Sequence, residues 1–162
     1  MTSKRSDIWA KIVATSFGVG YFPFGPGTMG AALGVLIWLP FYLWTSEETL
    51  LLVTLGLSVV FTILGVWSGN VVEKYWGEDP SIAVMDETVG VWITLLPVTV
   101  NDSWWYVLLA FLLFRILDIW KPLGIRKLEK LPGGYGIMAD DIAAAAVGIV
   151  IILIVKWILA LC

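Results

Sequence analysis

Thr88-Val89-Gly90-Val91-Trp92-Ile93-Thr94-Leu95-Leu96-Pro97-Val98-Thr99-Val100 is the stretch on which the architecture turns. As a helix its thirteen residues rise only about 20 Å, less than the roughly 30 Å hydrocarbon core of a bilayer, and Pro97 interrupts them. The stretch either crosses as a short segment or dips in and returns. Loop charge separates the two cases. If it crosses, Lys4, Arg5, Lys11, Lys74, Lys121, Arg126, Lys127 and Lys130 fall on one side, opposite Glu47, Glu48 and Asp102. The positive-inside rule makes the basic side cytoplasmic. If it returned, the basic cluster at 121–130 would land outside, against that rule.

The rest of the chain agrees with a membrane setting. Of 162 residues, 59% are hydrophobic and 14% charged, against about 45–50% and 25% in soluble domains. The ten tryptophans include Trp104, Trp105, Trp120 and Trp157 at the ends of apolar runs, where headgroup-level Trp is expected. Residues 6–17 carry Ile8, Trp9, Ile12, Val13 and Phe17 at helical spacing and predict an interfacial amphipathic helix. Membrane segments are then expected at 29–44, 49–69, 88–100, 103–120 and 142–161, with Ser46 capping the second and a polar loop at 70–85. The expectation is an all-α polytopic bundle of four to five membrane segments, one short enough to be re-entrant, forming a single domain over 1–162 with a cytoplasmic N-terminus. No cleavable signal peptide is visible. Net charge is −3 and there is no basic stripe with interleaved aromatics, so nucleic acid is not a partner.

Histidine is absent and Cys162 is the sole cysteine. Thiol and imidazole chemistry are therefore excluded, and so is an intrachain disulfide. Any catalysis must run on carboxylates, hydroxyls, Lys and Arg.

The crossing topology brings four polar clusters to the cytoplasmic ends of the segments. Gly25-Pro26-Gly27-Thr28 is a turn whose free N–H groups and helix dipole favour an anion, and Thr28 is suited to cap the helix that follows. An ordinary capped entry turn explains it equally. Asp86-Glu87 and Asp140-Asp141 each precede an apolar run, where one acid suffices as a cap and a second is left over. Arg115, Asp118 and Lys121 lie at i, i+3 and i+6, on one broad face about 9 Å tall. The two cations either neutralise Asp118 and Asp86 or clamp phosphate oxygens. Five acids crowded at one level, Asp86, Glu87, Asp118, Asp140 and Asp141, repel unless a cation holds them. Oxygen-only ligation selects a hard ion such as Mg²⁺, with Asp86, Asp140 and Asp141 as the foremost expected ligands and Glu87 a further one. Carboxylates, a metal, two cations and an anion turn together suggest phosphate-ester chemistry on a lipid.

These residues resemble the phosphatidylglycerophosphatase A family of bacterial inner-membrane lipid phosphatases. The resemblance rests on Pro26-Gly27-Thr28-Met29-Gly30, on Ser81-Ile82-Ala83-Val84-Met85-Asp86-Glu87, on Phe114-Arg115-Ile116-Leu117-Asp118-Ile119-Trp120-Lys121-Pro122, and on Gly133-Gly134-Tyr135-Gly136-Ile137-Met138-Ala139-Asp140-Asp141. It implies a Mg²⁺-dependent enzyme of the inner membrane that removes the terminal phosphate of phosphatidylglycerophosphate during phospholipid synthesis. In that reading Asp86, Glu87, Asp118, Asp140 and Asp141 are the catalytic acids, and Gly27, Thr28, Arg115 and Lys121 contact the phosphate. Glu87 and Asp118 either complete the metal shell or act as base. Direct attack by water is expected rather than an aspartyl-phosphate, since there is no Asp-x-Asp nucleophile motif. The competing class is a small ion-coupled transporter using intramembrane acids.

Overall fold

The computed structural model describes residues 2–161, with side chains from Arg5 onward. Cys162 and the Lys4 side chain, both used above, lie outside the described residues. The chain is helical, with no strand among the described residues: α1 (Thr2–Ala14), α2 (Pro26–Trp44), α3 (Glu47–Trp76), α4 (Met85–Leu95), α5 (Trp105–Trp120) and α6 (Gly134–Leu161), with 3-10 turns at Val19–Tyr21 and within Pro122–Lys130.

The uncertain segment is the centre of the bundle. α4 has only eleven residues and nine of them are buried, beneath α2, α3, α5 and α6. A helix apolar on all sides belongs inside such a shell. Small residues let α2 approach it: an added methyl at Gly34 would lie 2.5 Å from Val91 Cγ1. The close approach is locked by polar bonds, as Trp92 donates to Gly34 O at 2.8 Å and Thr88 to Gly30 O at 3.0 Å. This small-residue seam with interhelical hydrogen bonds is how helices associate where no hydrophobic drive separates protein from lipid.

The helices run between two poles. At one pole lie the starts of α2, α4 and α6 and the end of α5. At the other, Tyr42 donates to Asp102 O at 2.5 Å, Asn101 reaches Glu47 at 3.4 Å, and Lys156 donates to Pro97 O at 2.7 Å and Asp102 at 2.5 Å. The chain from Asp86 to Pro97 thus leads from the first pole to the second. Among the described residues, three helices are long and apolar enough to cross a membrane: α2, α3 and α6. α5, at 16 residues, and α4 are shorter.

Several expected boundaries move. α2 starts at Pro26 behind an N-cap Gly25 with φ 59°, so Thr28 lies inside its first turn and does not cap it. Proline has no N–H to satisfy and a preset φ, which suits the first helical position. α3 continues past Gly69 to Trp76, leaving a loop of only 77–84 where a longer one was expected, because Val72 remains buried under Ala10 and Ala14 of α1. α6 begins at Gly134, so the glycine-rich run is helical and Asp140 and Asp141 sit inside the helix, not at its start. Other signals hold as read. Ser46 caps α3, accepting from Thr49 N at 3.3 Å, and α5 stops at Lys121 (φ 46°) before Pro122. α1 ends at Ala14, short of the expected Phe17, docks through Ala10 and Ala14, and leaves Ile8 and Trp9 exposed.

The turn after α1 ties this helix to the start of α4. Val84 N donates to Ala14 O at 2.8 Å, and the fully buried Ser16 hydroxyl bonds Val84 O at 3.1 Å and Thr88 Oγ1 at 2.8 Å. The first turn of α4, which carries two acids, is held from outside the bundle.

Candidate active site

Three helices deliver the acids to one place. Asp86 and Glu87 occupy the first turn of α4, Asp118 the last turn of α5, and Asp140 and Asp141 are the seventh and eighth residues of α6. Neither acid pair is a cap: the N-cap of α4 is Val84, without a side-chain bond, and the α6 pair lies well inside its helix. With Arg115, Lys121, Gly25, Pro26 and Gly27 these acids line a cavity of about 300 Å³. Asp86, Asp118, Asp140 and Asp141 are all buried.

Within the cavity the charges sort into three groups. Arg115 Nη1 lies 2.6 Å from Asp118 and 3.8 Å from Glu87, while its Nε has no hydrogen-bond partner among the described residues. Lys121 pairs with Asp140 and, at 2.7 Å, with Glu129. Burial alone would lower the Lys121 pKa, but hydrogen bonds to Asp140 and Glu129 outweigh it and raise it, so the ammonium stays charged. The third group is Asp86, Glu87 and Asp141, which each bring an oxygen within 4.8 Å of the others.

That third group fits a cation. Asp86 Oδ1, Glu87 Oε2 and Asp141 Oδ2 are buried without a hydrogen-bond partner among the described residues. Buried carboxylate oxygens that converge without donors are strongly unfavourable unless something positive sits between them. An all-oxygen set is the ligand chemistry of Mg²⁺. Asp140 is drawn out of this group by Lys121; its Oδ1 remains buried and unpartnered.

Gly27 explains how Glu87 fits. A methyl built on Gly27 would lie 1.9 Å from Glu87 Oε1 and 3.1 Å from Arg115 Nη2. The α2 backbone forms a wall of the cavity only because residue 27 has no side chain.

Of the nine residues singled out in the sequence, eight line the cavity; Thr28 does not and is exposed. Asp79, Ser81 and Ala83 line it as well, from the loop 77–84. Asp79 was not picked out. It is one acid in a polar loop, and its only signal is the following Pro80, which marks an ordered turn. Asp79 adopts φ 43° and also borders a second cavity of about 370 Å³ with Glu73, Glu78 and Glu129.

The family description "Phosphatidylglycerophosphatase A" matches residues 12–156. The chain is 38% identical to the Escherichia coli phosphatidylglycerophosphatase A over 89% of this chain and 81% of that protein. It is 34% identical to the Haemophilus influenzae protein of the same name over 90% and 88%. A Bacteroides thetaiotaomicron protein carrying the provisional name phosphatidylinositol-3-phosphatase is 48% identical over 96% of this chain and 99% of its own length. No solved structure matches. The chain belongs to the phosphatidylglycerophosphatase A family.

Proposed function

We propose that this enzyme hydrolyses the terminal phosphomonoester of phosphatidylglycerophosphate, releasing phosphatidylglycerol and inorganic phosphate, with Mg²⁺ and at the cytoplasmic face of the bacterial inner membrane. The observation that carries the reading is the unpartnered triad Asp86, Glu87 and Asp141 beside Arg115 and Lys121 in one cavity. The two named relatives support the substrate.

Asp86, Glu87 and Asp141 would hold the metal, which when bound polarises the phosphoryl group and lowers the pKa of water. Arg115, with Nε free to donate, and Lys121 hold the phosphate oxygens and stabilise the charge that spreads over them. Asp118 orients Arg115, and Asp140 orients Lys121. The attacking water gives its proton to Asp140 Oδ1, the free oxygen outside the triad. The P–O bond to glycerol breaks as the new one forms; the leaving alkoxide takes a proton from solvent water, and Asp140 returns its own proton to solvent. Attack is direct, with no phospho-enzyme.

The topology follows the charges. Arg5, Lys11, Lys74, Lys121, Arg126, Lys127 and Lys130 belong to the pole with the cavity, and Glu47, Glu48 and Asp102 to the other. With the basic pole cytoplasmic, the chain makes five crossings, α4 with residues 96–100 being the short one. Transport has no comparable support, since the converging acids belong to one pole and the relatives are named as phosphatases.

The name of the Bacteroides relative favours a second substrate, phosphatidylinositol 3-phosphate, which also presents a phosphomonoester near a bilayer. The deciding assay offers both lipids in matched micelles with Mg²⁺ and with EDTA. Phosphate released faster from phosphatidylglycerophosphate, and abolished by EDTA, is the expected result. Faster release from the inositol lipid overturns the substrate, and equal release in EDTA overturns the metal.

A further inference from the structure

Besides the polar cavity, the bundle carries a groove of about 570 Å³ between α2 and α5, lined almost wholly by apolar side chains. Its α2 wall is Ala32, Leu36, Leu39 and Leu43, at i, i+4, i+7 and i+11. Stepped back along the same face, this stripe ends at the exposed Thr28 in the first turn of α2, next to the N-cap Gly25 that lines the polar cavity. The α5 wall is Trp104, Leu108 and Phe111, and the same face continues to Arg115 and Asp118, again cavity residues. Each helix thus presents one face that is apolar over most of its length and polar at the cavity end.

We propose that this groove holds an acyl chain of the lipid whose phosphate is cleaved in the cavity. The inference rests on the lipid-phosphatase reading above. A lipid headgroup and its chains are covalently joined, so a headgroup in the cavity must lay its chains along a helix face running down from it. The α5 side of the groove is in register with Arg115 and Asp118, and its α2 side ends beside the cavity at the N-cap Gly25. From Gly27 to Ala32 the helix rises about 8 Å, room for the linker between terminal phosphate and acyl ester. From Ala32 to Leu43 it rises about 17 Å more, which takes the groove beyond the roughly 15 Å depth of one leaflet, so the acyl chain occupies its turns nearer the cavity. Trp104 and Tyr42 close the far end, where Tyr42 is fixed by its bond to Asp102 O. Thr28, exposed and outside the polar cavity, lies on the α2 stripe between the cavity and the groove.

The test compares kcat/KM for long-chain (dioleoyl) and short-chain (dihexanoyl) phosphatidylglycerophosphate in mixed micelles of fixed composition. Ala32→Trp and, independently, Leu108→Trp place an indole in the groove at half-exposed or exposed positions that no core residue covers. Displacing about two methylenes lowers the long-to-short ratio about tenfold. Leu153→Trp, on an exposed face of α6, keeps the wild-type ratio. A ratio within twofold of wild type for both groove variants overturns the proposal, as does a wild-type dimer that these variants dissociate without changing the ratio. A wild-type protein that cleaves neither lipid overturns the phosphatase reading itself, so the two failures are distinguishable.

Discussion

Gly27→Ala separates catalytic geometry from folding. The new methyl would lie 1.9 Å from Glu87 Oε1, where ordinary contact begins at 3.4 Å, so the carboxylate must retreat by about 1.5 Å. Nothing on the backbone of another helix is among its close neighbours; the atoms that clash are the ends of Glu87 and Arg115, which can swing. The fold therefore tolerates the change while the triad does not. A misplacement of about 1 Å costs on the order of 100-fold in rate, so kcat/KM should fall at least 100-fold and the Mg²⁺ concentration for half-maximal activity should rise. The assay is phosphate release across a Mg²⁺ titration, with thermal melting in detergent as the folding control. Gly30→Ala is the contrast, because its methyl would meet Val84 O at 2.8 Å, backbone that cannot swing away, and should lower the melting temperature first. A Gly27→Ala enzyme within threefold of wild type, with an unchanged Mg²⁺ requirement, would refute the role of Glu87.

Asp86→Asn and Asp141→Asn should each abolish Mg²⁺-dependent turnover, by at least about 1,000-fold, in protein that still melts cooperatively; Mg²⁺ binding by calorimetry checks that the loss lies in the ligand set. Lys121→Ala leaves Asp140 buried beside an empty position and should reduce both phosphate affinity and stability, whereas Lys121→Arg restores the charge without the geometry and recovers stability more than activity. Ser16→Ala strips a fully buried bridge between the α1 turn and α4 and should cost about 1–3 kcal/mol, read from denaturation in detergent. At the opposite pole, burial pushes the Asp102 carboxyl up, but bonds from Lys156 and Thr99 outweigh it and hold the pKa below the usual carboxylate range. A depressed folded pKa stabilises above the unfolded value of about 4 and is lost as pH falls through the lower folded value. The melting difference between wild type and Asp102→Asn should thus be full at neutral pH and shrink as pH drops below about 4.

Much of the site could be read in the sequence because charge is costly in an apolar chain and needs a reason at each position. Loop charges implied that the ends of four segments share a pole, and the structure brings Gly27, Asp86, Glu87, Arg115, Asp118, Lys121, Asp140 and Asp141 around one cavity. Pairing was less legible. That Asp140 answers Lys121 while Asp141 faces Asp86 depends on the rotation of α6, which shifts once the helix begins at Gly134 instead of near Ile142. Thr28 read as a cap because Ser and Thr favour that position, but Gly25 and Pro26 start the helix earlier. The length of α3 was hidden because its last turns are polar on one side and covered by α1 on the other. Lys156 carried a signal that was missed: a lone lysine in an apolar helix requires a partner, here Asp102 and Pro97 O.

The most direct test is phosphate release from phosphatidylglycerophosphate by the purified protein as Mg²⁺ is raised from zero, with Asp141→Asn beside it. The account predicts no release without metal, saturable release with it, and none from the variant at any Mg²⁺ concentration. Metal-independent release, or an Asp141→Asn enzyme that turns over like wild type, would contradict it.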